Sequence, residues 1–276
     1  MWTIGYEYLI MNVKQENQAS EFILSKTSFC GSTAIILGSG LGEFAKVLND
    51  RKHLAYSKIP YYPTSNVEGH IGELVIGSVF GKQVIIANGR VHLYEGYDRK
   101  QVTFPVRVFK KCGIKNLIIT NSSGSMHKKN KPGTLMIIKG HIDCTFQNHY
   151  KNLYLKKSNN YYSKELIELS EKVAIKSKIK VSSGNYCWVL GPSYETPEEI
   201  KYFRSNKGNA VGMSTLPEIE EAGEQGLKVL SLALLTNYAA GINKNTLSHR
   251  EDIAVASKSK TKLIKLLSGI IKGIKE

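Results

Sequence analysis

The chain has no Cys-x-x-Cys pair: Cys30, Cys112, Cys144 and Cys187 stand singly. That scatter suggests neither a zinc site nor a disulfide framework and leaves buried or incidental thiols as the expectation. No metal is expected. No apolar run approaches the roughly eighteen residues that span a bilayer, and residues 1–10, with Glu7 among them, lack a basic flank followed by an apolar core. The expected setting is cytoplasmic, away from a membrane. Acidic residues are in deficit, with 23 Asp and Glu against 38 Lys and Arg, a formal net charge of +15. Such a balance suits an anionic partner. The lysines, however, are spread over Lys128–Lys131, Lys151–Lys157, Lys172–Lys180 and Lys258–Lys275, with no nucleic-acid motif beside them. A solvated surface is the expectation, not a nucleic-acid partner. A field of this sign still draws small anions towards a site.

Internal repeats and linkers are missing too, and a 42% hydrophobic fraction over 276 residues supports one large core. The expectation is one domain over residues 1–276, with 1–30 a poorly defined extension carrying a short helix that ends over Glu21–Lys26. Either Met1 or Met11 fits as the start. Strands are predicted at Thr33–Leu37, Asn116–Thr120, Thr134–Ile138, Tyr186–Leu190, Ala210–Gly212 and Val229–Thr236, and a hairpin at Gly72–Phe80 and Lys82–Ala87 turns at Gly81. Helices are predicted over Phe104–Lys111 and Tyr162–Lys178, from Pro197, near Pro217 and after Ser248. Uniformly apolar strands alternating with helices indicate an α/β fold, a mixed β-sheet flanked by helices.

Three segments carry chemistry. Gly38-Ser39-Gly40-Leu41-Gly42 follows the first strand and precedes a helix-compatible segment, Glu43–Leu48. It fits an anion pocket lined by backbone amides and the Ser39 hydroxyl. It matches neither the dinucleotide fingerprint nor a P-loop. Arg90, His92 and Tyr94 alternate on an extended segment, so guanidinium, imidazole and phenol share one face, the Arg fork being suited to two oxygens at once. An arginine paired with Glu95 is the plain alternative. Asn121-Ser122-Ser123-Gly124-Ser125 follows another strand and adds small donors at the same sheet edge. Thr196-x-x-Glu199, Thr215-x-x-Glu218 and Ser248-x-x-Glu251 each read as a capping box. Glu195, Met213, Ser214 and His249 sit beside those helix starts, where a carboxylate is favoured ionised and an imidazole neutral.

These segments, with Gly69-His70 and Gly72, Gly191-Pro192-Ser193-Tyr194-Glu195-Thr196, Val211-Gly212-Met213-Ser214-Thr215, Thr236-Asn237 and Leu247-Ser248-His249, occur in the order and spacing of the trimeric purine nucleoside phosphorylases. The resemblance runs from Thr33 to the C-terminus. It implies a homotrimer of purine salvage that cleaves the N-glycosidic bond of a purine nucleoside with inorganic phosphate as co-substrate and no cofactor. On matching positions, Ser39, His70, Arg90, His92, Ser122 and Ser214 would hold phosphate. Tyr94, Met213 and His249 would hold the sugar, and Tyr194, Glu195 and Asn237 the base. His92, Glu195 and Asn237 would carry the catalysis. An ionised Glu195 accepting a ring N–H implies a preference for 6-oxopurines such as those of inosine and guanosine.

The chain also departs from the family. Asn-Ala-Ala-Gly-Gly reads Asn121–Ser125, which keeps the backbone donors and adds hydroxyls. Asp-His-Ile-Asn reads Gly140-His141-Ile142-Asp143, followed by a shortened segment. There the family supplies an aromatic residue to a neighbouring subunit's sugar pocket, and Phe146, Tyr150 and Tyr154 are the candidates. Two other readings stay open: a methylthioadenosine phosphorylase, against which Glu195 and His249 argue, and a catalytically decayed scaffold that binds nucleotides or nucleic acid.

Overall fold

The computed structural model describes residues 2–147, 153–157, 161–243 and 248–275, excluding the side chains of 2–12 and 249–251. Among the described residues, ten strands form one sheet: β1 (Thr33–Leu37), β2 (Asn49–Ala55), β3 (Glu73–Val79), β4 (Lys82–Asn88), β5 (Asn116–Ser125), β6 (Thr134–Asp143), β7 (Leu155–Lys156), β8 (Val181–Trp188), β9 (Ala210–Gly212) and β10 (Lys228–Tyr238). The helices are α1 (Trp2–Thr27), α2 (Arg99–Lys111), α3 (Lys164–Lys176), α4 (Pro197–Ser205), α5 (Leu216–Glu224) and α6 (His249–Gly273).

The strand order is β10-β6-β8-β9-β5-β1-β4-β3-β2, with β7 on β6. Because β10 pairs with both β6 and β5, the strands β5, β9, β8, β6 and β10 close into a ring, and β1 to β4 extend from it as a tail. The mixed sheet flanked by helices is as expected. Closure of the ring was not legible in the sequence, since it depends on which strands meet.

Side chains of β1, β5 and β10 alternate between two cores. Ile36, Leu117 and Val229 pack with α1, α2 and α5, whereas Ile35, Ile118 and Leu230 pack with α3 and α6. A strand buried on both faces needs apolar residues at successive positions, which is why these strands read as unbroken hydrophobic runs. Each fully buried Leu or Ile contributes about 1.5–3 kcal/mol. Met126, Ile142, Cys187 and Phe203 make a third cluster beneath α4. Cys112, Cys144 and Cys187 are buried free thiols and Cys30 is exposed.

Several local expectations are corrected. The N-terminal helix is long, α1 running from Trp2 to Thr27. Residues 43–48 do not begin an α-helix: Gly42–Val47 is a six-residue 3-10 turn. The Gly38–Gly42 segment therefore has no α-helical macrodipole behind it. Helix α2 begins at Arg99, capped by Asp98 and Gln101, and carries Pro105 inside. Strand β5 continues to Ser125, so Asn121–Ser125 is strand and not a loop. Strand β8 begins at Val181, and β2 and β7 were not anticipated.

The hairpin at Gly81 and the Thr196 capping box are present. The Thr215 box is not, because Thr215 adopts φ 79° and its side chain makes no cap bond. Ser248 makes none either.

Strands β1, β4, β5 and β10 are parallel to one another through β1–β4, β1–β5 and β5–β10 pairing, so their carboxyl ends share one edge. Gly38 lies there because a Cβ would stand 2.7 Å from Asn121 Cα. Only glycine lets β1 leave the sheet so close to β5. At the end of β10 the register shifts between Leu235 and Asn237, a bulge that re-aims the Asn237 side chain.

Candidate active site

A cavity of about 230 Å³ opens at this edge. Ser39, His70, Arg90, His92, Ser122 and Ser214 all line it, as do Tyr94, Met213, Tyr194, Glu195 and Asn237. The backbone of His249 begins α6, but its side chain lies outside the described residues. Tyr150 also lies outside them. Phe146 and Tyr154 are exposed and do not line this cavity.

Arg90 is buried, and protein groups surround its guanidinium. Nη1 donates to Ser214 Oγ and Thr215 Oγ1, both at 2.9 Å, Nη2 donates to the Thr120 carbonyl at 2.8 Å, and Nε stands 3.1 Å from Glu218 Oε1. The fork is therefore not left open for two ligand oxygens, as its residue type suggested. Its geometry instead positions Ser214, whose hydroxyl accepts from Arg90 and keeps its own proton to donate. Tyr186 braces the same residue by donating to the Ser214 carbonyl at 2.9 Å. Asn121 Nδ2 donates to Thr215 Oγ1 at 2.9 Å, and Ser123 Oγ donates to Asn121 Oδ1 at 2.6 Å. Thr215 and Glu218, read from the sequence as a helix cap, are thus spent on the arginine.

Ser39 Oγ and His70 Nε2 are 3.1 Å apart, and the Ser122 hydroxyl donates to the Ser39 carbonyl at 2.9 Å. The rings of His70 and His92 lie 5.3 Å apart, and Tyr94 stacks on His92 at 4.7 Å with an interplanar angle of 15°. His92 Nδ1 is 2.9 Å from Glu95 Oε1, which also accepts from the His92 backbone N–H at 2.8 Å. Ser65 Oγ donates to Glu95 Oε2 at 2.7 Å. Burial opposes charge on Glu95, but hydrogen bonds from His92 and Ser65 outweigh it and hold the carboxyl below its ordinary value. An ionised Glu95 fixes the proton on Nδ1 and leaves Nε2 for the cavity. Glu95 therefore serves the histidine and not Arg90. Burial pushes the Tyr94 phenol up to about 12, so it stays protonated and can donate.

The Asn237 amide is oriented on both atoms. Thr236 Oγ1 donates to its Oδ1 at 3.2 Å, and its Nδ2 donates to the Tyr238 carbonyl at 3.2 Å, which leaves one N–H to spare. Gly191, at φ 76°, brings the Tyr194–Glu195 loop against the pocket, since a Cβ there would stand 3.0 Å from Tyr94 Cδ1. Burial raises the Glu195 carboxyl to about 7, its own backbone N–H opposing and the nearby Glu199 and Asp252 carboxylates adding to the rise. Burial thus works against the ionised form that a helix start favours. Tyr194 donates to Asp252 Oδ2 at 3.0 Å.

Sequence reasoning missed Glu95, Asn121 as an orienting group, Tyr186, Thr215, Glu218 and Asp252. Spacing gave a signal only for Glu95, three residues after His92; the others meet through sheet pairing and helix packing. Among the described residues, no three His, Cys, Asp or Glu side chains group as a metal site.

The Phosphorylase superfamily family model matches residues 32–272. Purine nucleoside phosphorylase 1 of Bacillus subtilis (strain 168) is 40% identical over 266 residues, covering 92% of this chain and 96% of the relative. The crystal structure of a schistosoma purine nucleoside phosphorylase in complex with hypoxanthine superposes with a TM-score of 0.87 at 29% identity, covering 96% of this chain and 98% of the other. Isoform 2 from Schistosoma mansoni, in complex with cytosine and ribose-1-phosphate, gives 0.84 at 32% identity over 95% and 97% of the two chains. With its cavity built from the ordered motifs that first suggested the resemblance, the chain belongs to the purine nucleoside phosphorylase family of the phosphorylase superfamily.

Proposed function

We propose that this purine nucleoside phosphorylase acts reversibly on 6-oxopurine ribo- and deoxyribonucleosides, inosine and guanosine among them, releasing free base and (deoxy)ribose 1-phosphate. The observation that carries this is one cavity lined both by the donors Ser39, His70, His92 and Ser214 and by the carboxyl–amide pair Glu195 and Asn237. The hypoxanthine and ribose-1-phosphate complexes of the schistosomal relatives support it.

In this reading the donor set, with Ser122 and the remaining Arg90 N–H, holds inorganic phosphate beneath the ribose. Phosphate stabilises the oxocarbenium-like state and attacks the anomeric carbon, so no covalent enzyme nucleophile takes part. His92, its ring fixed by Glu95 at Nδ1, faces the dianion through Nε2. Tyr94, Met213 and His249 contact the sugar. The spare Asn237 N–H relieves negative charge on the departing base. Ionised Glu195 accepts the ring N–H that hypoxanthine and guanine carry and adenine lacks, with Tyr194 against the base. No cofactor enters this scheme. A homotrimer in the cytoplasm is part of the proposal, and the exposed Phe146 and Tyr154 suit a residue offered to a neighbouring subunit.

The test is release of free base from inosine, guanosine and adenosine with and without phosphate. Phosphate-dependent release from inosine and guanosine, well above that from adenosine at pH 8, is the expected result. Equal release without phosphate would make the protein a hydrolase, and a preference for adenosine at that pH would overturn the base assignment.

A further inference from the structure

Asp252 belongs to none of the groups that the scheme above uses, yet it lines the same cavity and is only 9% exposed. A carboxylate so deep in a substrate pocket is costly unless something there employs it. It stands in the first turn of α6, its backbone N–H donating to the Ser248 carbonyl, and reaches across the pocket to accept from the Tyr194 hydroxyl at 3.0 Å.

That bond ties the Tyr194–Glu195 loop to α6. The loop needs such a tie, because Gly191, Pro192, Ser193 and Tyr194 form no regular element before α4 begins at Pro197. Glu199 from α4 also raises Glu195, and Glu195 in turn acts on Tyr194 and on the Cys144 thiol just beyond β6, so Asp252 and Glu199 are two carboxylates bearing on a third.

We propose that Asp252 is a positioning residue for base recognition: bonded to the Tyr194 hydroxyl, it fixes the aromatic ring and sets a second carboxyl near Glu195. The inference rests on the assignment of Glu195 to the base. It separates the two functions of the pocket, since Asp252 acts on the nucleoside through Tyr194 and Glu195 and leaves the phosphate donors alone. Its negative charge also helps decide at which pH Glu195 can accept a ring N–H.

The experiment is a pH series of inosine phosphorolysis, with inosine and phosphate varied separately, for the wild type, Asp252→Asn, Asp252→Glu and Tyr194→Phe. Asp252→Asn should move the acid limb of kcat/KM for inosine downward by about half a pH unit, through loss of a neighbouring negative charge. Tyr194→Phe, which keeps that charge, should leave the limb within a few tenths of a unit and raise the KM for inosine about threefold or more, the loss of one hydrogen bond. Asp252→Glu should restore the limb. The KM for phosphate should stay within twofold throughout. An unmoved limb in Asp252→Asn, with phosphate-dependent inosine cleavage intact, overturns the role of Asp252 and leaves the phosphorylase reading standing. Parallel increases in both KM values would mark Asp252 as merely structural. A wild type that ignores phosphate would instead sink the function itself.

Discussion

Arg90 and Glu218 meet as a buried ion pair, Nε 3.1 Å from Oε1, with side chains 4% and 3% exposed. The pair lies beneath the donors assigned to phosphate, so the guanidinium charge is balanced from within before any substrate arrives. Removing one partner of such a pair leaves the other charge buried, which costs about 3–5 kcal/mol. Glu218→Ala should therefore lower the Tm by many degrees. Arg90→Lys keeps the charge but cannot reach Ser214, Thr215 and Thr120 together, and should raise the KM for phosphate more than that for inosine. Thermal unfolding and steady-state kinetics check the two.

Glu95 holds the His92 ring through Nδ1. Glu95→Gln retains an acceptor but replaces two charge-assisted bonds to His92 by weaker neutral ones, so the ring is held less firmly against the phosphate site. The KM for phosphate should rise several-fold, with that for inosine little changed. An unchanged KM for phosphate would mean that the Glu95 carboxylate does not serve His92 in binding it.

Ser39→Ala removes a hydroxyl that lines the cavity 3.1 Å from His70. The loss of about 0.5–1.5 kcal/mol of hydrogen bonding predicts a rise of roughly two- to thirteenfold in the KM for phosphate, with that for inosine little changed. Weakened nucleoside binding alone would show that the glycine-rich segment holds the wrong ligand.

Glu195, raised to about 7, should give inosine cleavage an acid limb near that pH, since only the ionised carboxyl accepts the ring N–H. Below it the protonated acid donates instead, and adenine offers a lone pair where hypoxanthine carries a proton. The ratio of adenosine to inosine turnover should rise as pH falls from 8 to 6, and rates at fixed phosphate measure it.

The same shift bears on stability. An acid whose folded value lies above its unfolded one favours the fold at low pH, and that contribution is lost as pH rises through the folded value, here between about 4.5 and 7. Glu195→Gln should accordingly stabilise the ligand-free protein at pH 8 by roughly 1–3 kcal/mol while inosine turnover collapses. Calorimetry at pH 8 and pH 5 tests this, because the gain should vanish at the lower pH.

Much of the site was legible because its residues come in short ordered motifs: Ser39 in a glycine run, Arg90 and His92 two apart, Glu195 beside a capping box. The errors have a common cause. Thr215 and Glu218 have the spacing of a helix cap, and nothing local shows that a buried arginine from β4's far end claims both. Asn121–Ser125 reads as a loop because its side chains are small and polar, yet β10 and β9 pair with it and keep it in the sheet. That burial opposes ionisation of Glu195 was not legible either, because the depth of the pocket depends on residues distant in the chain.

By itself the sequence determined the alternation of strands and helices, the glycines at close approaches and the kinds of donor available, since hydrophobic period, turn chemistry and side-chain chemistry are local properties. The tertiary structure alone decided that five strands close into a ring, that Arg90 is spent on Glu218 and Ser214, and that Asp252 reaches Tyr194. Strand pairing and the balance of buried charge depend on residues distant in the chain, and their energies exist only once those residues share a dry interior.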